Sequence, residues 1–212
     1  MRKPKMGGKK ALRVFVKGNA DLGDLEDLLQ EKYQGAFTIE LTHEPWVRSD
    51  VLLPQTDAAV VPEELRRLFQ GPSDVVLFSV QPEGESKENL ARLIRAVKAR
   101  LGAHVLICNV STVDPEDQVH NHHGRPDTWA LRAHKFNLTL MELSVEEGIS
   151  VIDVERLVAE HGASRHVLQA GRYSPQVNQA ICQELLRVLE DIGFFEERPL
   201  VMQVGRGPVP CS

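Results

Sequence analysis

Short apolar runs alternate along the chain with longer stretches in which apolar residues recur at helical spacing. The apolar runs favour β-strands because they are short, rich in Val, Ile, Leu and Phe, and bounded by polar or glycine residues. Two of them are nearly continuously apolar, as central strands of a parallel sheet are when helices cover both faces. The five predicted strands comprise residues 12–16, 36–41, 74–80, 104–110 and 150–154.

The segments between and after these strands predict amphipathic helices. The clearest is the helix predicted over residues 86–101, which ends at Gly102. Asp21 or Asp24 could cap the start of the helix that follows the first strand. The first predicted helix begins near Leu22. The others cover residues 62–69, 86–101, 127–147, 155–161 and 175–192. Strand–helix alternation of this kind predicts a three-layer α/β/α sandwich. Its parallel sheet is expected to have the flavodoxin-like order 2-1-3-4-5.

Composition separates a central domain from two ends. Residues 1–10 predict a disordered basic arm, residues 11–193 the α/β domain, and residues 194–212 an extended C-terminal tail, with an extra edge strand at 200–204 as the alternative. The formal charge of −5 argues against general nucleic-acid binding. No apolar run approaches the roughly 18 to 20 residues of a membrane span.

The three cysteines show no metal-type spacing, so we expect reduced thiols and a cytoplasmic location. Cys108 is predicted to be buried, Cys182 to lie on a helix and Cys211 to be exposed in the tail. The sequence indicates no cofactor. A protein partner could bind residues 42–61 or the tail.

Ligands of open parallel sheets bind outside the carboxyl ends of the strands, so the turns there are the first candidates for chemistry. The turn after the first strand offers Gly18, Asn19 and Asp21 but no serine, cysteine or glycine-rich phosphate loop. Asn19 and Asp21 are candidate catalytic or ligand-binding residues, and helix capping is the structural alternative. Gln81 and Glu83 follow the third strand and could either contact a ligand or simply be solvated.

The loop after the fourth strand contains three histidines, His120, His122 and His123. These could bind a metal with an aspartate, provide a general base or substrate contact, or belong to a solvated loop. Because H-x-H-H has no general meaning, no metal is predicted. Arg172 and Tyr173 could bind an anionic or aromatic ligand or pack the loop before the last helix, where Ser174 is a candidate N-cap.

Three stretches resemble a known family. Residues 74–79 are similar to its third strand, residues 132–154 to the segment before its final loop, and residues 170–175 to the loop that carries its catalytic His. Over residues 12–192 the chain thus resembles the SGNH, or GDSL-type, hydrolases. The resemblance implies a serine nucleophile after the first strand, and oxyanion-binding glycine and asparagine after the third.

This chain departs from the family pattern at each of those positions. Gly18-Asn19-Ala20 replaces Gly-Asp-Ser, Gln81-Pro82-Glu83 replaces the oxyanion block, and Ser174 replaces the His before proline. An alanine methyl cannot attack a carbonyl, and loss of the nucleophile costs a serine hydrolase about a million-fold in turnover.

We therefore expect an SGNH hydrolase-like protein without the standard Ser–His pair, which binds a small molecule, an acyl or ester ligand, or a protein partner. An enzyme with a histidine- or metal-assisted mechanism is the alternative, and a scaffold acting through the arm, residues 42–61 and the tail is a third possibility. The expected ligand-binding residues are Gly18, Asn19, Ala20, Gln81, Glu83, His120, His122, Arg172, Tyr173 and Ser174.

Overall fold

The computed structural model describes residues 10–34, 36–46, 71–82, 85–113, 128–169 and 171–196. Within them, five parallel strands form one sheet: β1 (Lys10–Gly18), β2 (Phe37–Glu44), β3 (Val75–Ser79), β4 (His104–Cys108) and β5 (Ser150–Ile152). Their order is β2-β1-β3-β4-β5, which confirms the predicted topology. β1 is the longest strand and pairs with both β2 and β3.

Helices cover both faces of this sheet: α1 (Leu25–Tyr33), α2 (Lys87–Leu101), α3 (Trp129–Glu147), α4 (Val154–Glu160) and α5 (Pro175–Asp191). The hydroxyls of Ser86, Thr128 and Ser174 accept backbone hydrogen bonds at the starts of α2, α3 and α5. α1 begins differently from the prediction. Asp24 occupies its N-cap without a side-chain bond, while Asp21 Oδ1 accepts the Gly23 N–H at 3.0 Å and closes a turn.

Each face of the sheet has its own apolar core. Side chains of β1 alternate between the two, so that Leu12, Val14 and Val16 pack beneath α1, α4 and α5, whereas Phe15 packs beneath α2 and α3. Burying these two apolar layers is the main favourable contribution to folding. Cys108 is buried as predicted, and no helix of the described residues has the length and apolarity to cross a membrane.

Other element ends are shifted by up to three residues, and two differences from the sequence-based prediction concern the region of the candidate site. β2 continues to Glu44, three residues past its predicted end, because it stays in register with β1 as far as the Lys17–Glu44 pair. The predicted loop before α5 contains a 3₁₀ turn (Ala163–His166) and an antiparallel pair, β6 (Val167–Gln169) and β7 (Arg172–Tyr173). Strands of three and two residues are too short to show a sequence period.

The last described residues pack against α1 and β2. Phe195 lies 4.4 Å from Tyr33 and 5.1 Å from Phe37, measured between ring centroids. The predicted helix at 62–69, most of the 42–61 segment, residues 1–9 of the basic arm, Cys211 and the alternative strand at 200–204 lie outside the described residues, whereas Lys10 begins β1.

Candidate functional site

The carboxyl ends of β1, β3 and β4 lie side by side. Gly18 is in register with Ser79, and Ser79 is in register with Cys108. The residues that follow, together with the end of β2, form one edge of the sheet, here called the rim: residues 18–21, 43–46, 79–82 and 109–113. Parallel strands bring their following turns to the same edge, so the predicted placement of Asn19 beside Gln81 has its physical basis in the topology.

Gly18 joins β1 to the rim through a conformation and a contact that only glycine tolerates. Its φ is +138°, and a Cβ on it would lie 2.0 Å from the Ser79 carbonyl oxygen. On its other side, His43 Nε2 donates to the Gly18 carbonyl oxygen at 2.7 Å. His43 is therefore a rim residue that the sequence reasoning missed.

The residues after Gly18 point in different directions. Asn19 and Asp21 are exposed, whereas Ala20 is only 3% exposed and belongs to the apolar core beneath α5. The side chain of Ala20 thus packs inward as a methyl group. Asn19 and Asp21 are the polar groups that this turn exposes to solvent, and Asp21 also accepts the Gly23 N–H.

The β6–β7 pair lies against the ends of β3 and β4. A Cβ on Gly171 would be 3.3 Å from Gln81 Nε2, and the Tyr173 hydroxyl accepts the Ser111 N–H at 3.3 Å. Tyr173 is buried, which raises the pKa of its phenol, so it packs the hairpin onto the rim. Arg172 is exposed beside it. Of the predicted residues, Gln81 and Arg172 therefore remain accessible here, and Tyr173 does not.

Ser174 makes a contact that the sequence did not indicate. Its Oγ lies 2.8 Å from His166 Nδ1, and its backbone N–H donates to the His166 carbonyl at 2.9 Å. Oγ also accepts the Val177 N–H at 3.4 Å, which confirms the predicted N-cap and leaves the hydroxyl proton free to be donated to His166. No sequence signal links Ser174 to His166, because the hairpin alone brings them together.

A buried ion pair lies under the β1–β2 end of the rim. Lys17 is 2% exposed and its Nζ is 2.8 Å from Glu44 Oε2. Next to this pair, Trp46 Nε1 donates to Glu85 Oε1 at 3.0 Å while the indole packs edge-on against Phe78. Lys17 follows the apolar run of residues 14–16, and the sequence gives no sign that it pairs with Glu44.

A polar network holds the backbone where it leaves β4. Asn137 on α3 accepts from the Val110 N–H at 3.1 Å and donates to the Val110 carbonyl at 2.8 Å and to Glu155 Oε2 at 3.0 Å. Asp153 caps α4 by accepting from the Arg156 N–H, and it also accepts from Asn109 Nδ2. These bonds fix the direction in which the chain enters the histidine loop.

Four predicted residues, Glu83, His120, His122 and His123, lie outside the described residues, so their roles stay predictions. Among the residues that the structure does describe, no group of three His, Cys, Asp or Glu side chains is placed to hold a metal.

Solved structures with the same architecture decide the fold. A protein described as a GDSL-like lipase from Parabacteroides merdae matches with a TM-score of 0.58 and 13% identity, over 88% of this chain and 99% of its own. An SGNH hydrolase from Slackia heliotrinireducens matches with a TM-score of 0.57 and 17% identity, over 85% of this chain and all of its own. The chain has the SGNH hydrolase fold.

Another structure with this SGNH fold is a variant of an acetyl-xylooligosaccharide esterase from Geobacillus, with a TM-score of 0.58 and 11% identity over 86% of this chain and 95% of its own. No protein-family model and no curated protein matches the sequence. At these identities the likeness establishes the architecture and leaves the chemistry to be argued from the residues.

Proposed function

We propose that this protein is an SGNH hydrolase-like binding protein, without ordinary serine-esterase activity, that takes a small acyl or ester ligand at the rim. The observation that carries the proposal is Ala20, whose buried methyl stands where the family pattern has a serine. A methyl group supplies neither the nucleophile nor the proton that acyl transfer needs.

The rim and the adjacent β6–β7 pair offer a ligand polar groups above an apolar sheet. Asn19 and Arg172 are exposed, Gln81 is half-buried against the β6–β7 pair, and His43 is exposed beside Gly18. An amide and a guanidinium can bind the carbonyl or carboxylate oxygens of an acyl compound. Ligand sites that combine apolar walls with a few directed polar groups are typical of this sheet edge.

Binding can be tested with acetate, butyrate, octanoate and their ethyl esters, measured by thermal shift and titration calorimetry. Asn19→Leu should weaken any binding at least about tenfold, equal to about 1.4 kcal/mol, because the larger apolar side chain fills the rim. Gln179→Leu, an equal change at an exposed position of α5, is the matched control. No binding by any probe, or equal affinity in wild type and Asn19→Leu, would refute the rim proposal.

Catalysis is tested separately with short-chain aryl esters and a fluorophosphonate probe. The proposal expects turnover near the uncatalysed rate and no labelling of the native chain. Rapid turnover that the probe abolishes would overturn it and direct attention to another serine.

The Ser174–His166 contact supports a second candidate, a hydrolase with a relocated histidine-assisted nucleophile. Ser174 Oγ would attack the ester carbonyl as His166 Nδ1 takes its proton and passes it to the departing alkoxide; water would then hydrolyse the acyl-serine by the same route. The start of α5 would favour the developing negative charge. Labelling of Ser174 by the probe, lost in Ser174→Ala and in His166→Ala, would establish this candidate; an unlabelled Ser174 would exclude it.

A further version of this enzyme hypothesis uses the loop with His120, His122 and His123. One of these histidines would act as the general base, or they would bind a catalytic metal. Elemental analysis of tag-free protein tests it, and one firmly held metal per chain, lost in the His120→Ala/His122→Ala double variant, would support it. We also propose a cytoplasmic location, for which the free buried thiols of Cys108 and Cys182 are the supporting observation.

A further inference from the structure

The outer face of α3 carries four large apolar side chains although it faces solvent. Its four large exposed side chains are Leu131 at 42%, Leu138 at 54%, Met141 at 58% and Val145 at 85% exposure. Contiguous apolar patches on a soluble domain are typical of interaction surfaces, whereas single exposed apolar residues are ordinary. We call this set the α3 stripe.

The spacing of the α3 stripe is that of a helix–helix seam. Leu131, Leu138 and Val145 are seven residues apart, and Met141 follows Leu138 by three. With the exposed His134 at the other d position, this is the a/d spacing with which one helix packs along another. The buried side chains of α3, among them Phe136 and Leu143, lie on the opposite side of the helix against the core. The stripe is therefore directed outward, away from the core of its own domain.

The charges beside the stripe select one partner orientation. Lys135, which also has an interaction within its own chain, lies in the first half of α3, and Glu142 lies one heptad later on the same flank. In an antiparallel pair of α3 helices whose two-fold axis passes between Leu138 and Met141, Lys135 of each copy faces Glu142 of the other. Glu142 is 62% exposed even though it pairs with Lys87 of its own chain, so it can accept a second cation.

The surface beside the stripe extends the same face. A groove of about 710 Å³ begins at Met141 and Ser144 and runs along the edge strand β5, past Ile149 and Val151. A standard interface buries about 800 Å² on each partner, more than four side chains provide. The groove supplies additional apolar and polar surface for the partner helix and the residues that follow it.

We propose that this face binds a second copy of the chain, with the two α3 helices packed antiparallel around the α3 stripe. The self-complementary order of charges carries the choice of occupant, because a two-fold dimer places the same patch on both subunits. An interface of this limited area is expected to dissociate on dilution.

Sedimentation velocity and light-scattering chromatography of the full chain, from about 1 to about 100 μM, test the proposal. The wild type should shift from monomer to dimer across this range. Leu138→Glu should remove the dimer, whereas Leu168→Glu, at a site of 59% exposure on β6, should not. If Leu138→Glu fails to fold by circular dichroism, Val145→Lys at a more exposed site of the stripe replaces it.

A charge exchange tests the antiparallel arrangement. Lys135→Glu and Glu142→Lys should each raise the dissociation constant at least about fivefold, and the double variant should restore it, because the pair is then reversed in both copies. A wild type that is monomeric throughout, a dimer that survives Leu138→Glu, or a double variant weaker than both single variants would overturn the proposal.

Discussion

Asn137→Ala tests the network that holds the backbone leaving β4. In the wild type Asn137 is 8% exposed and satisfies both backbone groups of Val110, which is 3% exposed. The alanine variant would leave a buried N–H and a buried carbonyl without their partner. Each such group costs about 1 to 3 kcal/mol.

The expected loss of stability follows from these contacts. Two unsatisfied backbone groups should lower the free energy of unfolding by about 3 kcal/mol. Loss of the bond to Glu155 should lower it by about 0.5 kcal/mol more, a small amount because Glu155 keeps its bond with Thr112. For a chain of this length, about 3.5 kcal/mol lowers the melting temperature by about 10 °C. Because the network controls how the chain enters the histidine loop, the same variant should also alter any activity that depends on that loop.

Urea denaturation followed by tryptophan fluorescence and circular dichroism gives the free energy of unfolding. Asn178→Ala is the matched control, since the side chain of this half-buried helical asparagine donates a 3.4 Å hydrogen bond to the Tyr173 carbonyl. The Asn178→Ala substitution should lower the free energy of unfolding by less than about 1 kcal/mol. The reasoning is refuted if the two variants lose equal stability or if Asn137→Ala unfolds at the wild-type midpoint.

Three further predictions follow from other sites. Gly18→Ala should destabilise the fold by at least about 3 kcal/mol, because its Cβ would lie 2.0 Å from the Ser79 carbonyl oxygen; a wild-type urea midpoint would contradict this. Burial lowers the pKa of His104 below its ordinary 6.5, so the unfolded chain binds this proton before the folded chain does, and stability falls as the pH drops through 6.5. The urea midpoint of His104→Gln should therefore change less between pH 7 and pH 5 than that of the wild type. An equal change in both proteins would contradict this prediction. Burial raises the pKa of Cys108 and Cys182 to about 12, so Ellman's reagent at pH 8 should modify them only after unfolding; rapid native modification of either, mapped by mass spectrometry, would count against it.

The amino-acid pattern alone determined the architecture. Continuous apolar runs such as Val75–Ser79 can be buried only between two helical layers, and strand–helix alternation then leaves few topologies for a parallel sheet. The local sequence also determines where helices begin and end. Gly102 ends α2 and the Ser174 hydroxyl caps α5, and each acts on backbone groups within one turn. The placement of Asn19 and Gln81 at one edge followed from the direction of the strands.

Tertiary structure decided which polar groups meet. Lys17 and Glu44 pair because β1 and β2 run in register, Tyr173 is buried because β7 lies against Ser111, and Ser174 meets His166 across the β6–β7 pair. Such contacts depend on strand register and on how the β6–β7 pair packs, and hydrophobic periodicity carries no information about either. The pattern of burial therefore determines the fold, while the chemistry of the rim depends on packing between strands and hairpin that only the folded chain establishes.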